Sequence, residues 1–250
     1  MESLARARFN IDRGITDTDA TVWFARPEES SEPARRAELM SLLSDDEKER
    51  MVRLEVEPKR ELFLLGHGLL RTALSRQADV NPIDWRFSAG IGGRPEILSP
   101  SSRLRFSLSH TRGLVACAVS IDREIGLDVE DTSNARSIAL ADRYFSPRER
   151  QDLRRAPAAE QAARFYEYWT LKEAYLKACG AGLSLPLETF AFHCDRDGRW
   201  EIAFAPSIDD DPSRWRFWSW RIGALHQAAL ALSTYEPPDD PHSDREQNRQ

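Results

Sequence analysis

Two short stretches hold residues that could do chemistry. In "EIGLDVED", Asp128 and Glu130 stand two residues apart. Alternate side chains of a β-strand share a face. Ile125, Leu127 and Val129 then point one way, and Asp128 and Glu130 the other. Paired carboxylates repel unless a positive charge lies between them. A hard cation with oxygen ligands, Mg²⁺ above all, would serve; so would a half-exposed strand with a solvated acidic face. The second stretch is "YWTLKEAYLKACGAGLSLPL", residues 168–187. It reads as a buried helix yet carries Lys172, Glu173 and Lys177, and unpaired charges are costly away from water. On a helical projection of about 100° per residue, Glu173, Lys177, Thr170 and Tyr166 share a polar arc of roughly 60°. Lys172 falls instead in the apolar arc, beside Phe165 and Leu176. There it either snorkels or reaches an anion inside the protein. An i,i+4 surface pair is the plain alternative for Glu173 and Lys177. Glu173 becomes a third carboxylate for a cation if its helix crosses the Asp128 strand.

Further polar groups flank these. "GIGGRPEI" is a glycine-rich turn presenting Arg94, "FSLSHTRG" ends a strand at Ser109 and His110, and "EPKREL" brings Lys59 and Arg60 to the start of a long helix. Arg94, His110, Arg60, Lys172 and Lys177 are all residue types that bind phosphate, Arg through a planar fork and Lys as a point charge. Each also has an ordinary structural reading as a turn, strand-end or solvated helix-end residue. There is no Walker phosphate loop and no H-E-x-x-H zinc motif.

The elements that must position these residues repeat. "LSDDEKER" and "FSPRERQD" each carry a capping box, a Ser followed three residues later by Glu. Ser44 and Ser146 are 102 residues apart, as are Phe63 and Phe165, and Leu74 and Leu176. Each half runs from a long apolar helix into strand-like segments. The expected fold is α+β: two similar halves about a pseudo-twofold axis, each with a long helix on a small, mainly antiparallel sheet. The expected halves are 1–120 and 121–235, with a ligand cleft between them and a disordered tail at 236–250. The 250 residues, 41% hydrophobic, suffice for such a core. A net charge of -6 gives no global signal for nucleic acid. Cys117, Cys179 and Cys194 lack metal-ligand spacing and read as reduced thiols. With no signal-peptide pattern and no membrane-length apolar run, a cytoplasmic monomer is expected.

Taken in order, GGRP, FSLSH, IGLDVE and W-T-L-K-E-A-Y-L-K-A-x-G-x-G-L resemble the motifs of the Sfp-type 4′-phosphopantetheinyl transferases. The match runs over about residues 92–187, and more loosely back to Leu43. The resemblance implies the two-half fold of that family, with coenzyme A bound between the halves. It implies Mg²⁺ on Asp128, Glu130 and Glu173, and coenzyme A phosphates near Lys172, Lys177, Arg94, Ser109, His110 and, less closely matched, Arg60. It makes Glu173, Lys177 and Lys172 the catalytic candidates. It leaves Lys48, Arg50 and Arg53 as alternatives for the 3′-phosphate. Some members carry a basic residue where this chain has Ala181. The implied reaction moves 4′-phosphopantetheine from coenzyme A to a serine of an apo acyl or peptidyl carrier protein. Arg112, Arg143 and Arg148 are the candidate carrier contacts. The competing functions are a non-catalytic coenzyme A-binding module and a Mg²⁺-dependent phosphodiesterase acting on a small pyrophosphate.

Overall fold

The computed structural model describes residues 16–17, 20–90, 94–133 and 139–234. The 236–250 tail and the glycines Gly92 and Gly93 of the GGRP turn lie outside the described residues. In the first half come β1 (Thr16–Asp17), β2 (Ala20–Ala25), α1 (Pro33–Leu42), α2 (Asp45–Val52), α3 (Glu57–Ser75), β3 (Arg86–Ala89), β4 (Pro95–Ser99), β5 (Leu104–Thr111) and β6 (Leu114–Ile121). In the second come β7 (Ile125–Asp131), α4 (Ala139–Tyr144), α5 (Pro147–Arg155), α6 (Ala158–Cys179), β8 (Phe190–Cys194), β9 (Trp200–Phe204), β10 (Trp215–Ile222) and β11 (His226–Ser233).

The sheets show the expected α+β repeat. One has the order β1-β2-β6-β5 and the other β7-β11-β10-β9-β8, with antiparallel pairs throughout. In each, the half's main first strand pairs with its last, and the last with the one before it. They differ at the edge: β3 and β4 form a separate hairpin, whereas β8 and β9 extend the second sheet. α3 packs on its sheet around Leu64, Leu65, Leu69 and Trp23. α6 packs on the other around Phe165, Leu171, Tyr175 and Phe217. A third apolar layer, including Val22, Ala116, Leu127, Val129 and Leu230, joins the two sheets. No described helix is long and apolar enough to cross a membrane.

Both capping boxes form, at Ser44–Glu47 on α2 and Ser146–Glu149 on α5. Each capping glutamate is buried and takes a second task. Glu47 Oε2 accepts from Arg71 Nη2 at 2.7 Å and Nε at 3.1 Å, while Oε1 meets His67 Nδ1 at 2.8 Å. Glu149 Oε2 meets Lys172 Nζ at 2.9 Å, and Oε1 accepts from Phe192 N at 2.9 Å. A base from the long helix thus neutralises a buried cap in each half.

This corrects the expectation for Lys172. It does lie on the apolar arc, but it is fully buried in the second core, and its anion is Glu149 rather than a phosphate. Its other protons go to the Leu187 and Phe190 carbonyls at 2.8 and 2.6 Å. Burial lowers its pKa and the Glu149 charge opposes that shift. Thr170 and Tyr166 are buried as well, so the polar arc narrows to its Glu173–Lys177 end.

Lys172→Met should therefore act on stability, because it strands a buried carboxylate. A loss of about 3–5 kcal/mol in denaturant unfolding is expected. Glu47 gives a pH signature. Burial alone would raise its pKa, but the His67 hydrogen bond and charge, the Ser44 amide and the Arg71 charge together bring it from 4.5 to about 2. A depressed folded pKa contributes stability that is present above the unfolded value and lost as pH falls through the folded one. Wild type should thus lose up to about 3 kcal/mol through this group as pH falls from 4.5 towards 2. Unfolding of Glu47→Gln across that window should lack the component.

Candidate functional site

The site grows from the seam where β5 of the first half meets β7 of the second. The hydroxyls of Ser107, Ser109 and Thr111 accept from the backbone N–H groups of Leu127, Val129 and Asp131 at 2.9, 3.2 and 3.1 Å. Alternation along β5 turns these side chains to β7 and leaves Leu108 and His110 on the other face. The motif "FSLSHT" therefore reads as a row of hydroxyls that joins the halves.

α6 covers the face of β7 that carries Gly126 and Asp128. A Cβ on Gly126 would stand 1.9 Å from the Ala174 carbonyl oxygen and 2.5 Å from the Ala178 nitrogen. Only glycine admits the helix this close. The glycine of G-x-D-x-E thus sets the depth at which α6 lies over Asp128, a role that the motif's spacing alone does not display.

Three residues lock together at this seam. Lys177 Nζ donates to Asp128 Oδ1 at 2.8 Å, to Ser109 Oγ at 2.9 Å and to the Leu127 carbonyl at 3.0 Å. Ser109 Oγ donates to Asp128 Oδ1 at 3.0 Å while accepting the Val129 amide. Asp128 is 6% exposed, and its Oδ2 is buried without a hydrogen-bond partner. Two residues on, Glu130 Oε1 accepts from Trp169 Nε1 at 3.0 Å. Trp169, Glu173 and Lys177 follow at four-residue steps, so they share one face of α6. The first of them touches Glu130 and the last touches Asp128. Half-buried Glu173, one turn from each, therefore lies on the face of α6 turned to that carboxylate pair. Among the described residues, no three His, Cys, Asp or Glu side chains stand close enough as placed to hold a metal ion. An ammonium is the cation that Asp128 meets. The donor set nevertheless suits a hard cation: one aspartate oxygen is already desolvated and open, with two glutamates on neighbouring positions of strand and helix.

A cleft of 250 Å³ opens beside the seam, between α3 and β5, lined by Leu54, Lys59, Leu62, Phe63, Gly66, His67, Leu108 and His110. Desolvation lowers the His110 pKa and Lys177 repels its charged form; Asp128 acts the other way and His67 adds to the lowering. His110 is thus within electrostatic reach of both the seam and the cleft's far histidine, and it is disposed to be neutral near pH 7.

The remaining sequence candidates separate. Arg94 donates to the Lys177 and Ala178 carbonyls at 2.8 and 3.1 Å, and to those of Phe106 and Ile125 at 3.0 and 2.9 Å. It fastens the C-terminal end of α6 to β5 and β7. Arg60 donates to the Leu54 carbonyl at 2.7 Å and to Glu57 at 3.3 Å, and its neighbour Lys59 lines the cleft instead. Lys48 pairs with Asp45 at 3.2 Å and Arg53 with Glu49 at 3.3 Å, whereas Arg50 stands 6.0 Å from the ring centre of Phe63, on the cleft wall. Arg112 is held by Asp131 at 2.7 Å and by Ser133, Arg143 lies over Tyr144, and Arg148 is exposed on the first turn of α5. Sequence reasoning passed over His67. Its signal was the four-residue step to Arg71, which puts two bases on the side of α3 facing the capping glutamate.

Comparison with known proteins identifies the family. Residues 124–233, which include Asp128, Glu130, Glu173 and Lys177, match the 4′-phosphopantetheinyl transferase superfamily. The chain is 40% identical over 153 residues to 4′-phosphopantetheinyl transferase HetI of Nostoc sp., an alignment covering 59% of this chain and 63% of HetI. It is 33% identical over 219 residues to 4′-phosphopantetheinyl transferase Sfp of Bacillus subtilis, covering 88% of this chain and 93% of Sfp. Holo-[acyl-carrier-protein] synthase from Neisseria meningitidis superposes with a TM-score of 0.39 at 18% identity, over 45% of this chain and 98% of that one. Identity of 33% over 88% of this chain and 93% of Sfp makes this chain a member of the Sfp-type 4′-phosphopantetheinyl transferase family.

Proposed function

We propose that the chain transfers 4′-phosphopantetheine from coenzyme A to a serine of an apo acyl or peptidyl carrier protein, releasing adenosine 3′,5′-bisphosphate in a Mg²⁺-dependent reaction. The observation that carries this reading is the Lys177–Asp128–Ser109 cluster, with the open Asp128 Oδ2 beside it and the Glu173 face of α6 above. Coenzyme A brings a pyrophosphate, and a pyrophosphate needs positive charge on both sides of the bond that breaks. Lys177 supplies one fixed charge, already oriented by three hydrogen bonds. Preorganised donors of this kind stabilise developing charge without reorganising during the reaction. Ser109 keeps the Lys177 ammonium and the Asp128 carboxylate in register. His110, disposed to be neutral, offers a ring N–H to a phosphate oxygen without adding a repelling charge beside Lys177. The cleft between α3 and β5, with its apolar floor, receives the nucleoside.

Mg²⁺ would be held by Asp128 through Oδ2, with Glu130 and Glu173 as the further carboxylates. Bound there, it would neutralise pyrophosphate charge. The carrier serine oxygen attacks the β-phosphorus as the bond to the bridging oxygen breaks, and the electron pair leaves with adenosine 3′,5′-bisphosphate. Glu173, on the α6 face above the seam, accepts the serine proton. Arg94 acts here through position, because its donors hold α6 on β7, and Lys172 acts through the second core.

Intact mass of apo carriers after incubation with coenzyme A and Mg²⁺ tests the reading: a gain of one phosphopantetheine group supports it. Coenzyme A turnover without any modified carrier would sink it. Asp128→Asn should fold normally, since it keeps a partner for Ser109, and should lose at least about 100-fold in kcat/KM. Lys177→Ala should lose about 1.5–3 kcal/mol of transition-state stabilisation, roughly 10- to 150-fold in rate. Lys172→Met, measured below its unfolding range, should keep its KM for coenzyme A.

A further inference from the structure

The indole of Trp169 touches a site carboxylate yet has no part in moving the pantetheine group. Its Nε1 donates to Glu130 Oε1 at 3.0 Å. Asp128 meets an ammonium, that of Lys177. Glu130 is reached from the same helix by an indole, which donates one hydrogen bond and carries no charge. An indole N–H therefore orients a carboxylate without neutralising it. With Oε1 tied, the direction of the indole fixes where Oε2 falls. β11 pairs with the edge of β7 and sets neutral Gln227 opposite Glu130. The Gln227 amide nitrogen donates to Ser219 Oγ at 2.8 Å and to the Ala228 carbonyl at 3.2 Å, so its two protons are spent on β10 and β11.

The indole is itself fixed. Phe165, one turn earlier on α6, stacks on it with ring centres 5.8 Å apart and planes 18° apart. Tyr144 meets it edge-on at 5.9 Å and 80°. Tyr144 is the last residue of α4, and its neighbour Phe145 is buried and stacked on Phe165 at 5.2 Å. Phe145 thus anchors the end of α4 in the second core, and the anchored end brings the Tyr144 ring to Trp169. A tryptophan that served packing alone would need no such direction, because Trp169 is only half-buried and its N–H could face water. The N–H turns instead to a strand residue 39 positions earlier. Carboxylates that ligate a cation depend on outer donors of this kind, and losing one typically costs about 10- to 100-fold in metal affinity.

We propose that Trp169, clamped between Phe165 and Tyr144, is a positioning residue that aims Glu130 at a cation on Asp128, so that α4 helps to set cation affinity from outside the site. The proposal rests on the Mg²⁺ reading above and names what places one of its carboxylates. Trp169 acts through Glu130 and leaves the coenzyme A contacts and the bond-making step to other residues.

The test is calorimetric titration of Mg²⁺ into the full chain saturated with coenzyme A, without carrier. Trp169→Phe keeps a ring to stack on Phe165 but removes the N–H, and it should lose about tenfold in Mg²⁺ affinity. Tyr144→Ala keeps the N–H but frees the indole, and it should lose about threefold. In carrier modification, each variant should need correspondingly more Mg²⁺ for half-maximal rate, and excess Mg²⁺ should restore kcat. A purely structural role would not answer to Mg²⁺ in this way. Wild-type Mg²⁺ affinity in either variant, or a fall in kcat that excess Mg²⁺ does not restore, would overturn the proposal while leaving the transferase reading intact. A wild-type chain that binds no Mg²⁺ would overturn the cation assignment together with it.

Discussion

The hydroxyl row between β5 and β7 is the constraint on which the site depends. β7 pairs with β11 along one edge. The N–H groups of Leu127, Val129 and Asp131 point the other way, into a buried interface. Left unpaired, each would cost about 1–3 kcal/mol. Ser107, Ser109 and Thr111 satisfy them with side chains in place of a backbone ladder. A hydroxyl is short, so β5 must run close along β7, and one half of the chain is thereby registered against the other. Ser109 is the middle rung. Because it also binds Lys177 and Asp128, the contact that joins the halves is the contact that orients the charged groups.

α6 is then held against this seam by two features of different kinds. Gly126 removes the side chain that would keep the helix away, and Arg94 bonds the carbonyls that the helix leaves open at its C-terminal end. Those carbonyls carry the negative end of the helix dipole, so a guanidinium there serves geometry and electrostatics together. On this fixed helix, Lys172 and Lys177 are five residues apart and project about 140° from each other. One enters the second core and neutralises a buried glutamate; the other meets the seam. The same residue type has been put to two uses by a half-turn of helix.

That division marks where the sequence was readable and where it was not. The long helices, strands β5 to β11, both capping boxes and the 102-residue repeat were legible because each is a local pattern with one physical cause, whereas β2, the partner of β6, was not read. The acidic face of β7 was legible through simple alternation. Its relation to Glu173 was not, because it depended on a helix crossing that only the packing of Gly126 against Ala174 decides. Arg94 and Lys172 looked like phosphate ligands because basic residues near glycine turns and inside helices have that chemistry available. Their actual partners, main-chain carbonyls and Glu149, come from elements distant in sequence and carry no sequence signature toward them.

The repeat also explains why the cleft belongs to the first half. Glu47 and Glu149 occupy equivalent places, each capping a helix and each binding a base from the following long helix. In the second half the spare oxygen turns inward to the Phe192 amide, and the whole group is sealed among Phe145 and Phe190. In the first half the spare oxygen turns to His67, on the wall of an open cavity. A buried charge has to be neutralised wherever it lies, and that requirement is met in both halves. Only in the first does a partner of the capping carboxylate also line an open cavity. The chain carries a net charge of -6, which attracts no anion at long range. On the proposed reading, an anionic coenzyme is therefore met by short-range contacts, the carboxylate-fixed Lys177 at the seam among them.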